Sequence, residues 1–224
     1  MKKKIFAIAF AAILAVTAIT GASLAYLKDT DSKVNTFTVG DVNIHIDEWK
    51  VEDGKWVKYT DLTKLSPIAQ AKAPFNKLVE TVNDGSEPAY IRTFITCPTE
   101  DYNDLGYGFN SGANAVDSTR PNGEGTMHHV DFWKDLGVAT VDGKQVNIFM
   151  CVHKEAIPVG DSILSLTKIW VYDHVDNDAI GSQFDVKVFS EAIQSENLTY
   201  DEAMEVLNGN KTDLQHAADL FNNK

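Results

Sequence analysis

The chain has 224 residues, of which 44% are hydrophobic and 23% are charged, and its formal net charge at pH 7 is −12. This length is enough for one large domain or two small ones, each with a core that is stable by itself. The acidic balance argues against nucleic acid and anionic lipid as partners, because both carry negative charge themselves.

The first 25 residues have the pattern of a secretory signal peptide. Three lysines, Lys2 to Lys4, precede a 15-residue apolar run from Ile5 to Ile19, and Ser23-Leu24-Ala25 supplies a small-x-small cleavage site. The run is shorter than the ~20 residues that span a membrane. We therefore expect a mature chain that begins near Tyr26, is secreted and has no membrane attachment after cleavage. Its net charge is −15, from 17 basic and 32 acidic residues.

Five segments after residue 40 have the pattern of β-strands. Apolar and polar side chains alternate in residues 42–47, 146–152 and 184–188, as in strands with one buried face. Residues 162–172 form a longer candidate strand, and residues 90–96 are apolar on both faces, as in a central strand covered on each side. Because no helices alternate with these strands, the sequence predicts an all-β domain over residues 40–224. Its expected form is an antiparallel β-sandwich of jelly-roll type.

The other segments after residue 40 are expected to surround this sandwich. Residues 99–125 are rich in Gly, Asn, Asp and Ser without a clean period, which predicts a long loop or insertion that carries specificity. Capping-box spacing at Thr199 to Glu202 and at Thr212 to Gln215 predicts two short helices within residues 199–222. We expect these C-terminal helices to be peripheral to the sandwich.

Three stretches share their residues and their order with one known family. They are AYLKDTDSKVNTFTVGDVNI at 25–44, NDGSEPAYIR at 83–92 and FDVKVFSEAIQ at 184–194. On these residues the chain resembles the TasA/camelysin family of Gram-positive bacteria. The first stretch is fairly specific, whereas each of the other two is weak by itself. The resemblance implies a signal peptide that is cut by a dedicated SipW-type signal peptidase.

The resemblance also implies a secreted subunit of extracellular fibres, in a biofilm matrix or on the cell surface. Such subunits assemble head to tail, and the N-terminal segment of one completes the sheet of the next; other matrix or cell-surface components are further expected partners. Residues 26–39 suit this donor role, because they are polar and extended yet contain side chains spaced to enter a groove: Tyr26, Val34, Phe37 and Val39. Contacts of this kind do not close and so yield filaments. The alternative is that this segment is the first strand of its own sandwich.

Family members that are described as metallopeptidases direct attention to a zinc site. Neither HExxH nor HxxEH occurs in the sequence, so the helix that would hold two imidazoles and a general base is missing. The remaining histidines include His128, His129 and His153, and such residues are more typical of solvent-exposed side chains than of a ligand set. We expect no catalytic residues, and a camelysin-like metallopeptidase is the third functional hypothesis.

An acidic cluster is the candidate calcium site. Several oxygen ligands fall within one turn after the 162–172 segment: Asp173, Asp176, Asn177 and Asp178. The spacing of an EF-hand is missing, and a solvated turn is the simpler interpretation. Calcium is accordingly the one cofactor that the sequence suggests.

Two further features leave alternatives open. Cys97 and Cys151 are an even pair in an oxidising compartment and so form a candidate disulfide, although an anaerobic source would leave them reduced. Trp49, Trp56 and Tyr59 flank a hairpin-like turn, and aromatic platforms of this kind stack on sugars, although packing is the commoner role. A fibre subunit is the leading hypothesis, and a non-polymerising surface module that binds polysaccharide or calcium is the alternative.

Overall fold

The computed structural model describes residues 28–31, 42–53, 55–59, 75–99, 107–110, 123–171 and 186–223. These residues form eleven strands in two sheets and two C-terminal helices. Sheet A has five antiparallel strands in the order β1 (Lys28–Asp31), β11 (Val188–Gln194), β5 (Ala89–Pro98), β9 (Lys144–Val152) and β8 (Phe132–Val141). The predicted all-β sandwich is confirmed.

Sheet B packs against sheet A and contains the other strands. Its order is β3 (Lys55–Lys58), β2 (Ile44–Glu52), β4 (Phe75–Asn83), β10 (Ser162–Val171) and β6 (Tyr107–Asn110), all antiparallel. A short strand, β7 (Met127–His129), runs parallel to the first residues of β10. Among the described residues, the β7–β10 pair is therefore the only parallel pair in sheet B.

The space between the sheets is filled by apolar side chains and one group of hydroxyls. Two clusters of buried residues supply the apolar contacts: Val79, Ile95, Cys97 and Leu166 in one, and Val42, Ile44, Ala89, Ile91, Ile157, Ile163 and Ala192 in the other. Between them, the Ser190 hydroxyl lies 2.7 Å from that of Thr81 and 2.9 Å from that of Thr93. Each buried hydroxyl thus has a partner, as burial requires.

The helices form a third layer on the outer face of sheet A. Helix α1 (Tyr200–Asn208) and helix α2 (Asp213–Asn222) begin after Thr199 and Thr212, and both predicted capping boxes are present. One apolar cluster joins the sheet to α2: Phe94, Val141, Val146, Ile148, Met150, Val152, Phe189, Ala217 and Phe221. The helices lie outside the two sheets, as predicted, and their apolar faces close a second core. They also cover the second face of β5, so the prediction of a strand with two buried faces is confirmed.

One turn and two local predictions can be compared with the strands. Asp142 and Gly143 form the two-residue turn between β8 and β9, and both have positive φ (49° and 78°), as a type I′ hairpin turn requires. The predicted loop 99–125 contains β6, so that part of it is regular. The strand predicted at 184–188 begins only at Val188 and continues to Gln194.

Candidate assembly edge

The edge of sheet A is formed by residues from the predicted donor segment. Strand β1 lies antiparallel to β11, with Lys28 opposite Ile193 and Asp31 opposite Ser190. β1 occupies the outermost position of the sheet, so β11 has β5 on one side and only this four-residue strand on the other. We call the β1-facing side of β11 the assembly edge.

Most of the site residues predicted from the sequence lie outside the described residues. This holds for the donor-segment side chains Tyr26, Val34, Phe37 and Val39, and for the candidate calcium ligands Asp173, Asp176, Asn177 and Asp178. Their roles remain predictions. Only residues 28–31 of the donor segment are described, and they pair within the same chain.

Strand β11 is held firmly on both of its faces. Phe189 and Ile193 point toward the helices, where Ile193 packs with Ala203, Met204 and Leu207. Ser190 and Ala192 point into the sandwich. All four side chains are buried. The assembly edge is therefore fixed by its surroundings, and a strand that adds to it meets backbone that is already in place.

A buried charged group fastens β11 to β5 and to α2. Arg92 donates a hydrogen bond from Nε to Glu191 Oε1 over 2.5 Å, and both side chains are fully buried. His216 of α2 lies with Nε2 at 2.9 and 3.0 Å from the two Glu191 oxygens, and Asp213 Oδ1 is 3.8 Å from Arg92 Nη1. Buried charges are tolerated only when they are paired in this way.

Sequence reasoning missed this group, although one signal was present. Arg92 interrupts a strand that is otherwise apolar on both faces, and an arginine in such a place requires an acidic partner nearby. The acidic candidates were too many for the partner to be identified. Only the pairing of Arg92 with Glu191 across the β5–β11 ladder shows which one it is.

The chain is anchored again immediately after the donor segment. Val42 and Ile44 are buried, and the Asp84 N–H donates to the Asn43 carbonyl over 2.8 Å. His45 contacts the Asp84 carboxylate and lies 3.5 Å from Asp47. These contacts fix the start of β2 to the turn between β4 and β5. Any rearrangement of the N-terminal segment must therefore pivot before residue 42.

The charges around His45 shift two pKa values. The hydrogen bond with Asp47 raises the pKa of His45 against the effect of partial burial, and Asp84 raises it further. Burial alone would raise the pKa of Asp47, but hydrogen bonds from His45 and Lys58 outweigh it and lower that pKa to about 2. At neutral pH the Asp47 carboxylate is therefore charged and paired.

A resident metal ion does not fit the described residues. Among them no three side chains of His, Cys, Asp or Glu lie close enough together to hold one. His128 and His153 do approach, with ring centroids 5.9 Å apart, but the nearest acids pair with one imidazole each. A catalytic zinc needs three protein ligands around an open position, and this part of the chain does not provide them.

The two cysteines are free and buried. Cys97 lies opposite Asn147 and Cys151 lies opposite Thr93 on the β5–β9 ladder. They are therefore four residue positions apart along the strands, about 13 Å, whereas a disulfide needs Cα atoms within about 7 Å. The structure does not bear out the candidate bridge. Burial also raises the pKa of Cys151 well above its ordinary value, so this thiol stays protonated.

The aromatic residues at the β2–β3 hairpin serve in packing. Trp49 and Trp56 pack on a buried cluster formed by Leu78, Met127 and Leu164. Trp49 also donates from Nε1 to Glu80 Oε1 over 3.0 Å, so its polar atom is engaged inside the protein. The ring of Tyr59 lies below the Lys77 ammonium at 4.7 Å. All three aromatic residues are partly buried.

Comparison with known proteins gives a match to the N-terminal part of the chain. Residues 1–65 match the family model described as camelysin metallo-endopeptidase, which confirms the resemblance to the TasA/camelysin family. The matched region includes β1, β2 and β3, and so contains the strand at the assembly edge. No curated protein and no solved structure matches the chain. Within the described residues, neither helix is long and apolar enough to cross a membrane.

Proposed function

We propose that this chain, whose N-terminal part is of the camelysin type, is a secreted structural subunit of extracellular fibres on a Gram-positive bacterium. Its N-terminal segment, residues 26–39, leaves its own sheet and pairs with the assembly edge of the next subunit. The observation that carries the proposal is the position of β1. It is a short edge strand, and it lies within residues 1–65, the region that matches the camelysin family model.

The energetics of the β1–β11 contact suit an exchange. Four residue pairs hold β1 to its own β11, whereas β11 is fixed independently by β5 and by the packing of its two faces. The same backbone hydrogen bonds form whichever copy supplies the strand, so exchange replaces one set of bonds with an equal set. The donor segment must also reach a second copy. The anchor at residues 42–45 permits this, because the segment pivots before residue 42 and the rest of the chain stays in place.

Geometry then determines the product of exchange. A subunit that donates its N-terminal segment has a free assembly edge, and that edge accepts the segment of another copy. Donor and acceptor surfaces are different, so the contact is heterologous and repeats in one direction as a filament. A chain that keeps β1 on its own β11 is self-capped and stays a monomer.

The proposal includes no peptidase activity. It rests on the sequence, which contains neither HExxH nor HxxEH, and on the described residues, which bring no three metal-binding side chains together. Casein hydrolysis by the purified protein, abolished by a chelator and by His128→Ala or His153→Ala, would instead support the family's metallopeptidase description. We expect no chelator-sensitive hydrolysis even at high protein concentration.

The assembly itself is tested by negative-stain electron microscopy of residues 26–224 beside residues 40–224 at rising protein concentration. We expect filaments from the longer protein and none from the shorter one. Circular dichroism of both proteins shows whether the shorter one keeps its β-rich fold. Monodisperse particles from both proteins, across pH and added calcium, would contradict a fibre subunit and favour a surface module that binds polysaccharide or calcium.

A further inference from the structure

Two crossovers of the chain lie side by side at one end of the sandwich. The chain passes from sheet B to sheet A between β7 and β8, and it returns from sheet A to sheet B between β9 and β10. The Asp131 N–H donates to the Val152 carbonyl over 2.7 Å, and the Lys154 N–H donates to Asp131 Oδ2 over 3.1 Å. The two crossovers are thus fastened to each other by one backbone hydrogen bond and by the Asp131 carboxylate.

Side chains add a second connection between the same segments. His128 of β7 lies with Nε2 2.8 Å from Asp161 Oδ2, at the end of the second crossover. The other oxygen of Asp161 accepts a hydrogen bond from the Thr126 N–H over 2.9 Å. Because β7 has only three residues on β10, these contacts are a large part of what holds it.

His153 occupies the centre of this region in an unusual state. It begins the second crossover, is 7% exposed, and neither of its buried ring nitrogens has a hydrogen-bond partner. Asp131 Oδ1 lies 3.7 Å from Nδ1, at the distance of a loose ion pair and too far for a hydrogen bond. The His128 ring lies 5.9 Å away. The site therefore holds an imidazole that gains little from its neighbours when it is neutral.

The groups that face His153 make its protonation unfavourable. Burial lowers its pKa, Asp131 opposes this shift, and the proximity of His128 lowers the pKa further; Glu155 and the His129 backbone act in the favourable direction. A histidine whose folded-state pKa is lowered contributes stability that is complete above about pH 6.5. That contribution is lost as the pH falls from there toward the folded-state value.

We propose that the contact between His128 and Asp161 is an acid-sensitive clasp between the two crossovers, which holds β7 on β10 at neutral pH and loosens when the buried His153 beside it becomes protonated in an acidic medium. Protonation of His153 places an imidazolium ion in a buried position beside the His128 ring, where Asp131 and Glu155 are the acids that act on it. Loosening separates β7 from β10 and leaves the β5–β11 ladder intact. The clasp does not depend on the proposed fibre function, since it lies away from the assembly edge.

The test uses the full mature protein and hydrogen exchange of individual amides at pH 7.5 and pH 5.0, corrected for intrinsic rates. We expect protection at Ser162, whose N–H donates to the Thr126 carbonyl, and at Leu164, two residues further along β10, to fall at pH 5.0 by up to about tenfold for each unit by which the folded-state pKa of His153 is lowered. Protection in β5 should not change. Equal protection of Ser162 and Leu164 at the two pH values would overturn the proposal.

Variants assign the effect to the two histidines. His153→Gln is neutral at every pH and should remove the response, whereas His45→Gln, which lies outside the clasp, should keep it. Persistence of the response in His153→Gln would overturn the proposal. A direct measurement covers the case in which that variant does not fold: imidazole NMR titration should place the pKa of His153 below 6.5 in the native protein. His128→Gln should move that pKa upward, and a native value above 6.5 would overturn the clasp.

Discussion

Arg92 and Glu191 face each other across the β5–β11 ladder as a fully buried ion pair, 2.5 Å from Nε to Oε1. The pair lies on the helix side of the strand whose free edge receives β1. It therefore links the C-terminal layer to the proposed assembly edge, and it makes the position of β11 independent of β1. This independence is what an acceptor strand needs when its own N-terminal segment has left.

Removal of one partner of this pair should be strongly destabilising. Arg92→Leu leaves the Glu191 carboxylate buried without its arginine partner, and we expect a loss of about 3–5 kcal/mol in the free energy of unfolding. Urea denaturation measures it. Arg92→Leu combined with Glu191→Leu should recover part of the loss, because no unpaired charge remains. Equal losses in the single and double variants would show that packing, and not charge, determines the effect.

The two capping threonines should each contribute to the third layer. Thr199→Ala and Thr212→Ala remove the hydroxyls that accept from the Glu202 and Gln215 N–H groups, and each change should cost about 1 kcal/mol. Thr199→Ser and Thr212→Ser keep the hydroxyl and serve as controls. Thermal unfolding, monitored by circular dichroism, compares the alanine variants with the serine variants. Alanine variants as stable as the serine variants would contradict the capping role.

Two glycines just before β7 should respond differently to alanine. Gly123 and Gly125 both have positive φ (77° and 68°), but a Cβ at Gly123 meets open space whereas one at Gly125 overlaps the Gly160 carbonyl. Gly123→Ala should cost about 1–2 kcal/mol from backbone conformation alone. Gly125→Ala should cost more, about 2–5 kcal/mol, because the second crossover must also move. Similar denaturation midpoints for the two variants would mean that the close approach does not constrain the loop.

Stability should depend on pH through His45 and Asp47 in two separate ranges. The raised pKa of His45 gives stability that is present below about pH 6.5 and is lost as the pH rises through the folded-state value. The pKa of Asp47, lowered to about 2, gives stability that is present above its ordinary value of 3.8 and is lost as the pH falls toward 2. The urea midpoint of each variant, His45→Gln or Asp47→Asn, is measured across pH and subtracted from that of the native protein at the same pH. The difference gives the contribution of that one residue to stability.

The acid response of His153 opposes that of His45 between pH 5 and pH 7, so only the difference between variant and native protein is informative. His45 is half-exposed, and added salt should therefore reduce its contribution. A His45→Gln difference that does not change between pH 6 and pH 8 would contradict the ion-pair assignment.

The sequence predicted the strands and helices that are determined by residues close together in the chain. The alternation of Val146, Ile148, Met150 and Val152 defined β9, because one face of that strand is buried under α2. The capping boxes at Thr199 and Thr212 placed both helices, because a cap is satisfied within one turn.

The features that the sequence did not predict depend on which distant strands pair with each other and in which register. Cys97 and Cys151 lie on neighbouring strands, but the β5–β9 register keeps them apart, and alternation does not determine register between distant strands. The interaction of Glu191 with Arg92 and His216 joins residues that are 99 and 25 positions apart. The partner of β1 likewise depended on the strand order of sheet A.

The central claim is that the N-terminal segment pairs with β11 of another copy, and disulfide cross-linking tests it most directly. Asp29 lies opposite Ala192 in the β1–β11 register, so Asp29→Cys with Ala192→Cys places two thiols face to face. Asp31→Cys with Gln194→Cys is the matched control, because Asp31 lies opposite Ser190, four residues away from Gln194.

Oxidation of the first variant at filament-forming concentration should give a ladder of covalent multimers on a non-reducing gel, whereas oxidation of dilute monomer should give only internally linked chains. The control variant should give neither product. Internally linked monomers under both conditions, with no multimers even where filaments are seen, would contradict strand exchange at this edge.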